Sequence, residues 1–416
     1  MSRLLVGKKP PLNIRYFGIL LVFSVIYLIR AKVFLTLSSG NLGLLDLPFA
    51  DDFNHYYASA RLVLDQLPTY CTDFSALGSA VANFKFHPQV HHSTNPPLLV
   101  VLIAPFAMLP PIFGWALWLF ALVASTYFSL HILAQDILSR TTTRLGITLA
   151  TAAILISPPF LNALRYAQVQ PLILLLFLLG WRELRRNRGF LAGILWTVAT
   201  MLKIFPWPLL IFLVLIKRKS AAAGIALSLL TGGSVCWFID RQMFSGFLSC
   251  AVPSVSSWAN MSAFNIGLSG TIHRFLFLIK GSTVASNSFE YSIIFFLLPT
   301  FIALTSSIFL AARFTRTNQL DLSCATLILI SALTNPVCWP HYLVCALPLT
   351  AILSKNYSHR SATLVPPMLF YSLPLWPIYS LTAAARPLFV FETILPLFAL
   401  AALLVLPFLT TPKQAL

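Results

Sequence analysis

Residues 14–37 read IRYFGILLVFSVIYLIRAKVFLTL, and the polar segment that follows reaches Asp51-Asp52-Phe53-Asn54-His55-Tyr56-Tyr57. The apolar run exceeds the about 20 residues that a helix needs to cross a bilayer. No small-residue cleavage site stands where a signal peptidase requires it, so we interpret the run as an uncleaved first transmembrane helix. The stretch from residue 51 therefore lies in the first long polar loop of a membrane protein.

Apolar runs of this kind recur along the whole chain. Of the 416 residues, 58% are hydrophobic and only 9% are charged, whereas soluble domains carry about 25% charged residues. The composition predicts an all-α polytopic membrane protein that forms a single integral membrane domain over residues 1–416. We expect about twelve transmembrane helices, within a range of ten to thirteen. The predicted spans are 14–37, 113–135, 145–161, 168–182, 190–204, 206–216, 220–240, 290–312, 321–336, 340–354, 362–380 and 387–409.

The basic residues indicate the topology. The net charge of +17 is compatible with nucleic-acid binding, but most of the 28 lysines and arginines stand in short clusters at the ends of apolar runs. This placement is typical of cytoplasmic loops, so we predict both termini inside and no nucleic-acid partner. The clusters are Arg3, Lys8, Lys9 and Arg15; Arg140 and Arg144; Arg182, Arg185, Arg186 and Arg188; Lys217, Arg218 and Lys219; Arg313 and Arg316; Lys355 and Arg360; and Lys413.

On this topology residues 38–96 form a first external loop and residues 241–289 a second. The first loop is net acidic, with five aspartates against two basic residues. Its apolar residues recur at helical spacing from Phe53 to Leu67, which predicts an amphipathic helix on or in the membrane interface. The apolar stretch from Pro97 to Met108 is too short to cross, so it predicts a re-entrant or interfacial helix.

Ionisable residues at membrane depth or at external helix ends are costly and are therefore functional candidates. Each has a structural alternative, which the sequence leaves open. An aspartate before a helix is a favoured N-cap, a lysine at a helix end is a common membrane anchor, and an arginine or histidine there contacts headgroups or an aromatic belt. The candidates are Asp51, Asp52, Arg165, Lys203, Arg274 and His341.

Metal binding and disulfide pairing are less well defined. His87, His91 and His92 follow acidic residues, but their spacing is irregular and a metal ion needs three or more convergent ligands. We predict no metal and no cofactor. Cys71 and Cys250 would lie on the external side together with Cys338, so one disulfide is possible without a determined pairing.

Several stretches together resemble the family-87 glycosyltransferases, polytopic enzymes of the GT-C class that use polyprenyl-phosphate-linked mannose. They occur in the family's order over about residues 45–345. Three positions depart from the family pattern: Ala167 replaces a glycine, Gly267 a small polar residue, and Pro340 an acidic residue. The stretches are Asp52 to Ala60 with Leu67-Pro68-Thr69-Tyr70, Asn95 to Pro105, Gln168-Val169-Gln170-Pro171, Leu191 to Pro206, Asn265 to Arg274, and Asn335 to Tyr342.

The resemblance implies a GT-C-type fold and a catalytic set. Asp52 would be the general base and His341 a second active-site residue, while Lys203 and Arg274 would bind the lipid phosphate. The matching stretches add Gln168 and Asn265 as substrate-binding candidates, and Asp51, directly before Asp52, is a third.

The implied reaction is an inverting, metal-independent transfer of a sugar from the polyprenyl-phosphate donor to a glycolipid or glycan hydroxyl. Mannose is the sugar that the resemblance favours. The implied location is the plasma (inner) membrane, with the active site facing the periplasm. Membrane lipids would be the other partners.

Two other functions stay open at the level of sequence. A transporter or lipid flippase would also be polytopic, but such proteins tend to show internal repeats and midplane charges. Here no repeat is visible and the ionisable candidates gather on one predicted side. A membrane scaffold without catalytic activity is the other alternative.

Overall fold

The computed structural model describes residues 51–81, 92–138, 144–216, 219–253, 265–272, 296–317 and 319–356. Within these ranges every regular element is helical, which confirms the all-α class. The helices are α1 (Asp51–Leu64), α2 (Pro97–Ala107), α3 (Pro111–Ile132), α4 (Arg144–Leu155), α5 (Pro158–Arg165), α6 (Gln170–Arg185), α7 (Gly189–Leu202), α8 (Trp207–Leu215), α9 (Lys219–Ile239), α10 (Leu298–Thr317), α11 (Leu320–Leu333) and α12 (Leu347–Asn356), with a short helical segment at Met243–Gly246.

Two of the described helices are long and apolar enough to cross a membrane. They are α3, which continues as a π-helical turn to Ile137, and α9. The bent pair α4 and α5 would make a third span if it crosses as one unit. The spans predicted at 14–37, 362–380 and 387–409 lie outside the described residues, so the total of about twelve stays a prediction.

Residues 145–161, predicted as one span, form two helices instead. The axes of α4 and α5 meet at 76°. The break occurs at Ser157-Pro158-Pro159 because proline lacks an N–H and disfavours a helical conformation in the residue before it. The new helix α5 packs against the 3-10 segment Pro340–Ala346, which carries His341.

Helices α6, α7 and α9 pack side by side through small residues. The Trp196 indole N–H donates to the Phe177 carbonyl at 3.0 Å and joins α7 to α6. On the other side of α7, a Cβ at Gly193 would collide with the Ala221 backbone, and a Cβ at Gly224 with the Phe190 carbonyl. Glycines that allow backbones to touch are typical of helix pairs in membranes.

Helix α1 is buried inside the protein, which corrects the prediction of an interfacial helix. Phe53 belongs to the main core on one side of α1. Ala58 and Leu62 face a second cluster with Phe74 and Leu77, which follow α1 in a 3-10 segment. The helix that the periodicity predicted is present. Its second face, however, is covered by Phe74 and Leu77 of the 3-10 segment that follows α1.

One end of the bundle carries a network of ion pairs. Glu183 is buried and pairs with three arginines of α6 and the loop after it. Asp136 beyond the end of α3 pairs with Arg186 at 3.1 Å, and Asp321 at the start of α11 pairs with Arg185 at 3.8 Å. The network connects α3, α6 and α11 at the end of the bundle where the arginine cluster at 182–188 is predicted to face the cytoplasm.

The opposite end carries a disulfide bond between Cys71 and Cys250, which join the first and second predicted external loops. Their Cα atoms lie 5.5 Å apart, and the two residues are 179 positions apart in sequence. The Thr69 hydroxyl reinforces the junction by donating to the Asp240 carboxylate at 2.8 Å. Cys338, the third external candidate, is a buried free thiol.

Replacing Cys71 and Cys250 together by serine should lower the free energy of unfolding by about 2–4 kcal/mol, because the bond restricts the unfolded chain. Thermal unfolding of the detergent-solubilised protein measures the change. Reduction of the wild type is the matched control and should remove the difference. A difference that persists after reduction would assign the loss to packing rather than to the bond.

Candidate active site

Asp52 lies in the first turn of α1, and its carboxylate is bonded to a side chain 116 positions away. The Gln168 Nε2 donates to Asp52 Oδ2, while the Gln168 Oε1 accepts a hydrogen bond from the Tyr56 hydroxyl at 2.7 Å. Burial raises the pKa of Tyr56 and the nearby Asp52 raises it further, so the hydroxyl keeps its proton. Because a carboxylate oxygen accepts, the bond to Asp52 identifies the nitrogen end of the amide, and the oxygen end faces the Tyr56 hydroxyl. The chain Tyr56–Gln168–Asp52 therefore orients the carboxylate.

Gln168 is placed by the end of α5, which is a Schellman motif. The Ala167 N–H donates to the Leu164 carbonyl at 3.0 Å and the Gln168 N–H to the Ala163 carbonyl at 2.7 Å. The turn requires a left-handed residue, and Ala167 has φ +50°. The Trp118 indole holds the Ala167 carbonyl at 2.7 Å. Glycine adopts this φ without steric cost, so an alanine at this position carries strain.

Ala167→Val should lower the free energy of unfolding by about 1–3 kcal/mol, because a β-branched side chain is strained at positive φ. Ala167→Gly is the matched control and should stay within about 1 kcal/mol of the wild type, since relief of strain offsets added chain freedom. Thermal unfolding in detergent measures both. Equal stability of the two variants would contradict the left-handed turn that places Gln168.

Lys203 lies in the turn between α7 and α8. Its extended backbone, with φ −149° and ψ 129°, ends α7 directly after Leu202. The side chain is half-buried and forms no ion pair or hydrogen bond with any described residue, but it lies within electrostatic range of Asp52. The turn therefore places the Lys203 side chain within electrostatic range of the Asp52 carboxylate, with no salt bridge between them.

His341 and Tyr342 complete the cluster from the 3-10 segment before α12. Both are buried, and Lys203 lies within electrostatic range of His341. The Tyr342 ring packs against Phe205 with ring centroids 5.0 Å apart, and its hydroxyl lies within electrostatic range of Asp52. The His341 Nε2 has no hydrogen-bond partner among the described residues. Since buried polar atoms are normally satisfied, this nitrogen is suited to contact a ligand.

Asn265 supports the site through backbone contacts. Its Nδ2 donates to the Pro336 carbonyl at 2.6 Å, and its Oδ1 accepts from the Cys338 N–H at 3.0 Å and the Gly267 N–H at 3.2 Å. These bonds join residues 265–272 to the segment that leads to His341. A Cβ at Gly267 would lie 2.8 Å from the Cys338 side chain, which explains the glycine. Substrate binding by Asn265 stays a prediction.

The structure does not test two of the other candidates. Arg274 lies outside the described residues, and of Asp51 only the helical backbone is described. Arg165 is exposed and its guanidinium packs on the neighbouring tyrosine ring at 5.5 Å. No three His, Cys, Asp or Glu side chains among the described residues are grouped to hold a metal ion. His87 and His91 lie outside that set, so the metal-free site stays a prediction.

Tyr56 and Tyr342 are site residues beyond those predicted from the sequence. Tyr56 follows Asp52 by four positions, and residues four apart share one face of a helix. That spacing was a usable signal. Tyr342 had no comparable signal, because its approach to Asp52 depends on the packing of two segments far apart in the chain.

Comparison with known proteins adds one positive finding. None of the curated proteins matches the chain. The sequence model of Glycosyltransferase family 87 matches residues 94–340, a range that contains Gln168 and Lys203, begins after Asp52 and ends one position before His341. Because the match covers more than half of the 416 residues, the chain belongs to Glycosyltransferase family 87 and is a membrane glycosyltransferase.

Proposed function

We propose that this protein transfers a sugar, most simply mannose, from a polyprenyl-phosphate carrier to a hydroxyl of a glycolipid or glycan. Asp52 removes the proton of the acceptor hydroxyl while the hydroxyl oxygen attacks the anomeric carbon of the sugar. The bond between that carbon and the phosphate oxygen breaks, and the polyprenyl phosphate leaves with the electron pair. Attack opposite to the leaving group converts a β-linked donor into an α-linked product.

The observation that carries this proposal is the placement of Asp52. A carboxylate that only capped α1 would be satisfied within its own helix. Asp52 also accepts a hydrogen bond from Gln168, outside α1, and Lys203 of a third segment lies within electrostatic range. A carboxylate held by a neutral amide next to a cation provides a base and an anion site together, as transfer from a lipid phosphate requires.

The leaving phosphate needs positive charge and proton donors. Lys203 supplies the charge, and His341 lies within its electrostatic range with an unbonded Nε2. Groups preorganised where charge develops contribute most to the rate. Arg274 is a further phosphate-binding candidate, and Asp51 a candidate for the acceptor. A single phosphate can be neutralised by such cations, which supports a metal-independent mechanism.

We place the site on the periplasmic face of the plasma membrane. Gln168, which bonds Asp52, lies just before the start of α6, and the ion-paired arginines lie at the end of this helix, about 24 Å away at 1.5 Å per residue. Arginine-rich ends are typical of the cytoplasmic side. The disulfide Cys71–Cys250 joins the predicted external loops, and disulfides persist in oxidising compartments such as the periplasm. Both observations support this orientation.

The test is a transfer assay with purified protein. Synthetic polyprenyl-phosphate-mannose is incubated with extracted membrane lipids in the presence of EDTA, and wild type is compared with Asp52→Ala. We expect labelled glycolipid from the wild type and none from the well-folded variant. Transfer that requires added divalent metal would contradict the metal-independent mechanism.

The same assay separates the alternatives. The family assignment favours a transferase over a transporter or flippase. The wild type is tested with mannose, arabinose and other sugars and with lipid and glycan acceptors. If no transfer occurs, the next measurement is transport of the lipid-linked sugar across the membrane of vesicles that contain the protein. Transport without transfer would replace the proposal.

A further inference from the structure

Gln170 is a fully buried glutamine whose amide has no partner in the described part of the chain. It is the first residue of α6, and its side chain has no exposed surface. Neither Nε2 nor Oε1 forms a hydrogen bond with any described residue. A glutamine amide has two donor hydrogens and two acceptor lone pairs, and leaving them unpaired in the core is costly. The amide is therefore suited to a polar occupant, which is either a ligand or water.

The turn that places Gln168 also places Gln170. The Gln168 side chain bonds both Asp52 and Tyr56. The Tyr56 hydroxyl forms a further hydrogen bond with the backbone of Val169, and Gln170 is the next residue. The start of α6 therefore lies at the edge of the site that holds Asp52, at the end of this helix that is remote from the ion-paired arginines.

The face of α6 that carries Gln170 is directed at the segment Pro340–Ala346. Gln170 and Phe177 are seven positions apart, about two helical turns, and share one face of the helix. The Phe177 ring packs on Phe205 with centroids 6.1 Å apart, and Phe205 packs on Tyr342 at 5.0 Å. The helix itself also packs against this segment. Gln170 is thus placed between the Asp52 side of the site and the segment before α12.

Two further buried polar atoms without a described partner belong to the elements around this segment. One is Nδ2 of Asn162 in α5, which packs against Pro340–Ala346. The other is Nε2 of His341 within the segment itself. Unpaired polar groups are rare in protein interiors, and a few polar groups in a largely apolar surrounding are typical of ligand sites. Here they occur on three elements that contact one another.

We propose that Gln170 binds hydroxyl groups of the transferred sugar, with Asn162 as a second hydroxyl ligand. The inference rests on the proposed function, since it names the group that the same site recognises. A sugar hydroxyl both donates and accepts, so two hydroxyls on neighbouring carbons match the two ends of one amide. The transferred sugar must lie between the base Asp52 and the phosphate beside His341. The first residue of α6 borders both sides of that position.

Water and the acceptor are the other possible occupants of this position. Ordered water commonly satisfies buried polar groups, but it gives no dependence on the identity of the sugar. The acceptor attacks the anomeric carbon opposite to the leaving phosphate. Its hydroxyls therefore lie on the Asp52 side of the sugar, away from the segment that carries His341. Recognition of the transferred sugar is the assignment that explains why the unpaired groups extend to that segment.

Gln170→Met separates sugar binding from a structural role. Methionine keeps the length of the side chain and removes both ends of the amide. An apolar side chain is more favourable in the core than an unpaired amide, so the ligand-free variant should unfold in detergent at a temperature no lower than the wild type. Ser129→Ala is the matched control, because its Oγ is also buried without a described partner but lies in the last turn of α3, next to the ion-paired end.

Sugar recognition is measured first by binding, without any need for turnover. A ligand that binds the folded protein raises the unfolding temperature. The difference between the shifts caused by polyprenyl-phosphate-mannose and by polyprenyl phosphate therefore reports contacts to the sugar. We expect this difference in the wild type and in Ser129→Ala. Gln170→Met should lose the difference and keep the shift caused by polyprenyl phosphate.

Transfer from deoxy donors, each with one sugar hydroxyl replaced by hydrogen, is the second measurement. With at least one of them the wild type should lose about 10–100-fold in kcat/KM, because the analogue leaves a buried amide unpaired. Gln170→Met should no longer discriminate between that donor and the parent, and its KM for the acceptor should stay at the wild-type value. Gln170→Asn, which shortens the side chain and keeps the amide, should show a partial loss and replaces the methionine variant if that variant does not fold.

Each outcome decides between this proposal and the proposed function. Sugar-dependent stabilisation that requires Gln170, without transfer of any sugar, would overturn the proposed function and leave the sugar site in place. Transfer with equal discrimination in the wild type and Gln170→Met would overturn the sugar site alone and leave water as the occupant. A loss confined to the KM for the acceptor would overturn the assignment to the transferred sugar. A lower unfolding temperature with the same loss for every donor would assign Gln170 a structural role instead.

Discussion

Asp52→Asn is expected to lower kcat for sugar transfer by about 10²–10⁴-fold, the contribution of a positioned general base. The change is nearly isosteric, and the new amide oxygen can still accept from the Gln168 Nε2 that now bonds Oδ2. The fold and the substrate contacts should therefore persist while proton removal is lost. The measurement is the turnover number with saturating donor and acceptor, beside thermal unfolding of the same preparation.

The matched control is Asp65→Asn, the same chemical change just past the end of the same helix. Asp65 forms a partly exposed ion pair with Arg61 at 2.6 Å, and such pairs contribute about 0–1 kcal/mol. Its turnover should equal that of the wild type. Full activity of Asp52→Asn, or a loss of folded protein proportional to the loss of activity, would assign Asp52 a capping role instead.

Gln168→Leu tests the hydrogen bonds that join the turn after α5 to Asp52 and Tyr56 of α1. The change removes the donor to Asp52 and leaves the buried Tyr56 hydroxyl without its acceptor. Because Gln168 acts through Asp52, its loss should lower kcat more than it raises the KM for either substrate. An effect confined to KM would identify Gln168 as a substrate-binding residue, as the sequence predicted.

Lys203→Met should lower kcat by about 10²–10³-fold, the cost of losing one group that stabilises developing negative charge. The side chain keeps its apolar length and loses the ammonium that lies within electrostatic range of Asp52. The KM for the lipid-phosphate donor should rise as well, because the same charge attracts the phosphate before reaction. Transfer kinetics with varied donor concentration separate the two effects.

Two further variants complete this test. Lys203→Arg keeps the charge and should recover part of the activity, although the planar guanidinium differs from an ammonium in shape. Lys219→Met removes an exposed lysine at the opposite end of the bundle and should be neutral. Wild-type donor kinetics in Lys203→Met would leave only the membrane-anchor role for this residue.

The helices were predictable where the chain is punctuated by proline and by basic clusters. The bounds of α6, α7, α8 and α9 agree with the predicted spans within a few residues for this reason. The break between α4 and α5 was missed because the apolar content continues across it, although Pro158-Pro159 marks it. The burial of α1 was missed because periodicity reports only the face that is apolar. Asn54 and Ser59 on the other face are fully buried as well.

The site was predictable in part. Asp52, Lys203 and His341 stand in stretches that an ordered resemblance links, and the structure brings them together from three segments. What the sequence did not provide was the hydrogen bond between Gln168 and Asp52, because no pattern encodes a contact across 116 positions. The disulfide partner of Cys71 was undetermined for the same reason.

The ion-paired end of the bundle has a mechanical consequence. Pairs around the buried Glu183 resist separation, because an unpaired buried charge costs several kcal/mol, whereas the helix ends near Lys203 are joined by an irregular turn. We therefore expect the helices to separate more readily at the end that carries Asp52 than at the arginine-rich end.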